Sequence, residues 1–225
     1  MEDVSFDGRP VLVFGAGGAL GAGVAAAFAT AGASVTGVER AEPSGDRRLA
    51  GVGYRAADVT DDDAVRDLFD SAPAPWAVLN TVGGFAGQRP LAELDLAELT
   101  GQLELNLVTA ALITKHALRV MQPAGAGRIV HTASRAGVVS QGSGFAYSVS
   151  KLGVLHLVSM AADEVRGTGV TVNCVVPSII DTPANRAAIP NADYAAWPKI
   201  PDIARTYVFL ALPSSGLVNG AAIPV

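Results

Sequence analysis

Pro10-Val11-Leu12-Val13-Phe14-Gly15-Ala16-Gly17-Gly18-Ala19-Leu20-Gly21 sets the architecture of the chain. The apolar run through Phe14 has the composition of a strand buried on both faces. It leads straight into a glycine cluster, and an alanine-rich stretch then runs on as a helix to Ala31-Gly32. In the order strand, glycine turn, helix, glycines let the backbone approach a pyrophosphate whose charge sits at the helix N-terminus. The strict G-x-G-x-x-G spacing from Gly15 fails at Leu20, and the spacing present is G-x-x-x-A-x-G over Gly15, Ala19 and Gly21. Gly15, Gly17, Gly18, Ala19, Leu20 and Gly21 form the expected phosphate cradle; the plainer alternative is an ordinary βα turn.

Beyond this unit, strand-like runs and helical stretches alternate. Ser34–Val38 is a second strand ending at Glu39, close to the offset at which an acid accepts hydrogen bonds from adenosine ribose hydroxyls. A carboxylate there repels a 2′-phosphate and favours NAD(H), while Arg40 beside it could hold that phosphate and keeps NADP(H) open. Val52–Ala57 is a third strand with Asp58 at its end. A helix is expected from Thr60 to Phe69 with Asp63 in capping-box position. Trp76–Leu79 is a fourth strand leading into the glycine-rich loop Asn80–Gly87, on the edge where α/β sheets bind ligands.

A helix over Glu98–Met121 carries one stripe: Leu99, Leu103, Asn106, Ala110, Ile113, Ala117 and Val120. Asn106 is its one strongly polar member. A buried amide without partners costs about 1–3 kcal/mol, so Asn106 must be bonded to something specific: backbone groups, a water or a lysine. Arg128–Thr132 is a fifth strand, followed by Ser134 and a Gly/Ser-rich loop, Gly137–Gly144. Tyr147 and Lys151 come next, four apart, on one face of a helix over Phe145–Arg166. An ammonium beside a phenol favours the phenolate and lowers a pKa of ~10. That helix is apolar on nearly every side, which implies cover by another subunit. Val170–Val176 is a sixth strand stopped by Pro177. Ser178–Pro201 is long enough to be a lid, and a helix from Asp202 to Leu212 precedes a terminal strand, Leu217–Val225.

With 225 residues, half of them hydrophobic and 16% charged, the chain has material for one α/β domain with a large core. Its net charge of −5 argues against nucleic acid or an anionic membrane as the main partner. No apolar run is clean enough to cross a bilayer, and the acidic start Met1–Val4 lacks a signal peptide's pattern. The lone Cys174 excludes an internal disulfide and fits a cytoplasmic setting, where it is inert core filling. His116, His131 and His156 have no metal-like spacing; they are read as structural, and no metal is expected.

Gly15…Gly21, Asn106, Ser134, Tyr147 and Lys151 in this order resemble the short-chain dehydrogenase/reductase family over nearly the whole chain. The most specific part is S-x₁₂-Y-x₃-K with the Gly-rich opening. The resemblance implies a single Rossmann-type doubly wound domain over 1–225, with a parallel sheet of about seven strands and helices on both faces. It makes Tyr147 the acid/base and Lys151 the group that lowers its pKa while bonding the nicotinamide ribose. Ser134 would orient the substrate oxygen, and Asn106 would hold a relay water. For the cofactor it implies Asp58 and Val59 at the adenine, Asn80 and Gly83 in the following loop, and Pro177, Ile180 and Thr182 at the lid's base.

The chain departs from the family pattern at Phe14, Ala19, Asn80–Gly83 and Ser178. Gly-Ala-Leu-Gly in the first turn, Gly83–Gly87 and Asp181–Arg186 with Pro190, Asp193 and Trp197 look like the dihydropteridine reductase branch, which reduces quinonoid dihydropterins with NADH. Gly84, Phe85, Ser134, Tyr194 and Trp197 are the expected substrate contacts. Ser134 points elsewhere, since a hydroxyl there suits a carbonyl oxygen. The expected function is NAD(P)H-dependent hydride transfer to C=N or C=O, pterin-reductase-like. The alternatives are a carbonyl or 3-oxoacyl reductase and, from a different class, a non-catalytic dinucleotide sensor. The expected partners are a small-molecule substrate and a second copy of the chain, as a homodimer or homotetramer through helices 98–121 and 145–166.

Overall fold

The computed structural model describes residues 5–45, 48–87, 89–139 and 144–225; Met1–Val4 and residues 140–143 of the Gly137–Gly144 loop lie outside the described residues. The opening run is strand β1 (Pro10–Phe14), and the glycine turn delivers the chain into helix α1 (Ala19–Thr30). Next come β2 (Ser34–Glu39), β3 (Val52–Ala56), α2 (Asp62–Asp70) and β4 (Ala77–Asn80). The expected start of α2 shifts. Asp61, not Thr60, caps it by accepting from the Asp63 and Ala64 amides, because the Thr60 hydroxyl donates to Asp58 instead (2.7 Å).

The helix expected over Glu98–Met121 is longer and interrupted. Helix α3 (Leu96–Leu103) passes into a π turn, Glu104–Val108, and continues as α4 (Thr109–Ala124). Single π turns inside helices recur at functional sites, and this one carries Asn106. Strand β5 (Gly127–Thr132), helix α5 (Phe145–Glu164) and β6 (Val170–Val176) come after it, as their periodicity predicts. The long segment after Pro177 has structure of its own, helix α6 (Pro183–Ala188) and a 3₁₀ turn, Tyr194–Ala196. Helix α7 (Ile200–Ala211) and the short strand β7 (Ala222–Pro224) end the chain.

All seven strands are parallel, in the order β3-β2-β1-β4-β5-β6-β7. Alternation along the strands feeds two cores. Phe14, Val78, Ile129 and Val172 meet Ile113 of α4 and Val154 and Val158 of α5. Val11, Val13, Leu79 and Val130 meet Phe28 of α1 and Ile203 and Tyr207 of α7 on the other face. The strand order reverses between β1 and β4, so the chain leaves β1 for one face of the sheet and β4 for the other and opens a crevice, where such folds bind ligands. One expectation is corrected: α5 is long and apolar enough to cross a membrane (mean hydropathy 1.3). It packs instead as a core helix that buries Val154, Val158 and Ala161 and leaves Leu152 and Met160 exposed.

Candidate active site

A cleft of about 270 Å³ opens at the β1/β4 switch point. Gly15 and Gly18 line it from the glycine turn; Glu39, Arg40, Asp58 and Val59 come from the ends of β2 and β3, and Gly83 from the loop after β4. Thr81 and Val82 line it too. Thr81 carries no sequence signal, because its partners are remote: its hydroxyl reaches the Phe14 carbonyl (2.7 Å) and the Gly15 carbonyl (3.2 Å), tying the β4 loop to the glycine turn.

Gly21 is not a wall of the cleft. It lets α1 pack on the turn, since a Cβ there would stand 2.0 Å from the Gly15 carbonyl oxygen. Ala19 and Leu20 form the first turn of α1, which has no side-chain cap and no acid, so its amides are open to an anion. The Glu39 carboxylate accepts from the Gly17 amide. Arg40 lies 3.5 Å from Asp58 in an exposed pair. Hydrogen bonds from the Thr60 hydroxyl and amide hold Asp58 below the usual carboxylate range, with Arg40 adding to them. An open helix N-terminus, a glycine cradle and a carboxylate at the end of β2 fit a dinucleotide.

Beside Gly83, which lines the cleft, stands Lys151. A Cβ on Gly83 would lie 2.9 Å from Lys151 Nζ and 2.5 Å from Asn106 Oδ1. The buried Lys151 ammonium donates to the Thr132 carbonyl (2.9 Å), and burial pushes its pKa down to about 8. Lys151 Nζ sits 5.9 Å from the centre of the Tyr147 ring. The expectation that Lys151 sets a lowered Tyr147 pKa is corrected. Burial pushes the phenol up and outweighs the pull of the facing Ser134 hydroxyl. The Ser134 Oγ accepts from the Ala136 amide (3.2 Å), which leaves its proton to give. Phe85 stands edge-on to Tyr147, ring centres 5.1 Å apart, with half its surface exposed.

Asn106 is bonded as its burial demands. Its Oδ1 accepts from the Gly84 amide and its Nδ2 reaches the Gly84 carbonyl, each at 3.1 Å, so it clamps that residue's backbone from both sides. Its amide also reaches Gln102 (3.3 Å) and Ser150 (3.1 Å), and Ser150 donates to the Tyr147 carbonyl (2.7 Å). Sequence reasoning misses Ser150 and Gln102, although i,i+4 spacing links Gln102 to Asn106 and proximity in sequence links Ser150 to Tyr147.

Several expected contacts turn elsewhere. Asn80 is 2% exposed and bonds inward to His131 and the Val82 amide, so it shapes the loop without lining the cleft. Pro177 is buried, its carbonyl taking the Arg135 amide, and Thr182 caps α6 by accepting from the Asn185 amide (3.1 Å). Asn185 in turn donates to the Ile180 carbonyl (2.8 Å). Tyr194 and Trp197 pack on each other (5.0 Å); Trp197 is buried, and the Tyr194 hydroxyl donates within its own segment, at 2.8 Å to the Pro190 carbonyl. These two rings hold the segment after Pro177 together, because an aromatic pair in a short segment finds its nearest apolar cover in itself. Asp181 fastens the start of this segment, accepting from Arg186 Nε and Nη2 (2.6 and 2.9 Å) and from Lys199. His131 is buried, as a structural histidine should be, and no metal-holding cluster occurs among the described residues.

Residues 9–193 match the family model described as short chain dehydrogenase. The chain is 37% identical to cis-4-hydroxycyclohexanecarboxylate dehydrogenase of Sinomonas cyclohexanicum, over 98% of this chain and 96% of that protein. It is 32% identical to D-threitol dehydrogenase of Mycolicibacterium smegmatis, over 97% and 92%. A short-chain type dehydrogenase/reductase from Mycobacterium ulcerans superposes with a TM-score of 0.90 at 28% identity, over 98% of this chain and 89% of that one. An NAD(P)-dependent gluconate 5-dehydrogenase structure from Beutenbergia cavernae with bound NADP has a TM-score of 0.87 at 26% identity, over 99% and 96%. None of these names is a pterin reductase. With its parallel sheet, its glycine turn and these relatives, the chain belongs to the short-chain dehydrogenase/reductase family and is an NAD(P)-binding oxidoreductase.

Proposed function

We propose that the protein interconverts a secondary alcohol and its ketone with NAD(H). The observation that carries this reading is the Ser134 hydroxyl facing the Tyr147 phenol while its oxygen accepts from the Ala136 amide. NAD(H), when bound, supplies the hydride or takes it up. Ser134 donates to the substrate oxygen and fixes its position, and Tyr147 gives that oxygen its proton, or removes it in the reverse direction. The buried Lys151, when charged, favours the tyrosinate that remains. Preference for NAD(H) is supported by Glu39 on the Gly17 amide, where a 2′-phosphate would meet a carboxylate, and by Asp58 engaging Arg40.

The names of the relatives support a hydroxylated ring or polyol as substrate class. Quinonoid dihydropterin remains the second reading, because Phe85 offers an aromatic edge beside Tyr147. A homodimer or homotetramer through the helices over 98–121 and 145–166 is supported by exposed Val108, Leu152 and Met160. The single cysteine suits a cytoplasmic setting.

The deciding experiment monitors nicotinamide absorbance with a panel of cyclic hydroxy acids, polyols and their ketones beside quinonoid dihydropterin, each with NAD(H) and NADP(H). Turnover of an alcohol–ketone pair with NAD(H) is expected. Turnover of the dihydropterin alone would overturn the reading, and tighter NADP(H) binding would mean that Arg40 governs the choice.

A further inference from the structure

His131 sits one residue before the carboxyl end of β5 at zero exposure, and its two ring nitrogens have different partners. The Thr114 hydroxyl gives its proton to the Ala110 carbonyl (2.7 Å), so toward the ring it can only accept. It therefore takes the His131 Nε2 proton at 2.9 Å. That fixes the neutral tautomer and leaves the Nδ1 lone pair to accept from Asn80 Nδ2 at 3.1 Å. With its NH₂ so directed, the Asn80 amide presents Oδ1 to the Val82 amide, 3.0 Å away. The order of donation runs from Asn80 through His131 and Thr114 to Ala110, without a free choice at any link.

The segment so fixed carries no regular structure, yet three of its residues, Thr81, Val82 and Gly83, line the dinucleotide cleft. Asn106 clamps its far end at Gly84, and Thr81 ties its outer side to the glycine turn. The near end depends on the Asn80 side chain, and Gly83 stands close against Lys151. We propose that His131 is a positioning residue: through Asn80 it sets the Asn80–Gly84 wall against Lys151 and so the shape of the cofactor site. It touches no reacting atom. The proposal rests on the dinucleotide reading of the cleft.

Two substitutions of similar size separate the hydrogen bond from the packing. His131→Asn places an amide where Nδ1 stands and can keep the bond to Asn80. His131→Gln places its amide where Nε2 stands, so it can keep Thr114 and lose Asn80. Two readouts are taken: hydrogen exchange at the Val82 and Gly84 amides of the unliganded protein, and NADH and NADPH affinity from nicotinamide fluorescence. For His131→Gln, Val82 exchange is expected to rise, and NADH affinity to fall, by about tenfold. His131→Asn is expected to stay within about threefold of the wild type in both, less than about 1 kcal/mol, although both variants melt earlier.

Equal losses in the two variants, no loss in either, or the larger loss in His131→Asn would each overturn the proposal. If the wild type binds neither nucleotide, the dinucleotide reading fails, and the exchange arm still decides whether His131 holds the loop. Should either variant fail to fold, Thr114→Val tests the same chain from its remote end: removing the acceptor frees the tautomer and is expected to raise Val82 exchange. Unchanged exchange there would overturn the proposal.

Discussion

Gly83→Ala puts one methyl group where the structure leaves none. The added Cβ would stand 2.5 Å from Asn106 Oδ1 and 2.9 Å from Lys151 Nζ. Neither neighbour yields freely, because Asn106 is bonded to both the amide and the carbonyl of Gly84 and Lys151 is held by the Thr132 carbonyl. The backbone adds to this, since Gly83 has φ +153°, a region that side chains avoid. Such a conformation costs about 1–3 kcal/mol, and overpacking costs about 1–3 kcal/mol more. Lysine's flexible stem absorbs part of the clash, so about 3 kcal/mol in all is expected. At about 2–4 °C per kcal/mol for a chain of this size, the melting temperature falls by about 6–12 °C.

The same displacement moves the wall of the cleft and the ammonium, so NADH affinity should fall with stability. Gly101→Ala is the control. Nothing lies within 4 Å of its Cβ position in α3, and alanine there should stabilise by about 0.5–1 kcal/mol. Thermal melts and NADH titration read both variants. A Gly83→Ala protein melting within about 2 °C of wild type with unchanged affinity would refute the placement of this loop against Lys151.

Tyr147→Phe should lower kcat by about 10²-fold or more while NADH affinity stays close to wild type; retained turnover would remove the phenol from the chemistry. Burial pushes His131 down to about 3 from an ordinary 6.5. The stability this neutral ring contributes is present above pH 6.5 and is lost as pH falls toward 3. Between about pH 7 and 4 the wild type should therefore lose about 3 kcal/mol more than His131→Asn in urea unfolding; parallel losses would mean the buried ring is protonated without cost. Asp181→Asn weakens the link to Arg186 and Lys199 across the segment after Pro177. Faster proteolysis between residues 181 and 199, with the melting temperature kept, is expected. A cleavage rate equal to wild type would show that this segment is held by its aromatic pair alone.

Local periodicity carries a large share of this fold in the sequence itself. Apolar runs and turn residues specify β1, β6 and the parallel α/β class, because a strand buried on both faces needs a largely apolar composition. The i,i+4 spacing specifies the Tyr147–Lys151 pair, and a position between strand and helix marks the Gly15–Gly21 turn. One amide breaking an apolar stripe marks Asn106. The π turn around it leaves no mark, since backbone hydrogen-bond register has no compositional trace.

Contacts between distant residues, and the burial they create, belong to the tertiary structure. Thr81 meets Phe14 and Gly15 across 66 residues or more, and Asn80 meets His131 across 51. No short spacing encodes such pairs, because sheet order brings them together. Tyr194 and Trp197 look like substrate contacts by resemblance, and only packing shows that they cover each other. Spacing alone has the Tyr147 phenol lowered by its lysine. It is raised because desolvation depends on how much protein surrounds a group, and that is settled only when distant residues such as Phe85 and Ser134 close on it.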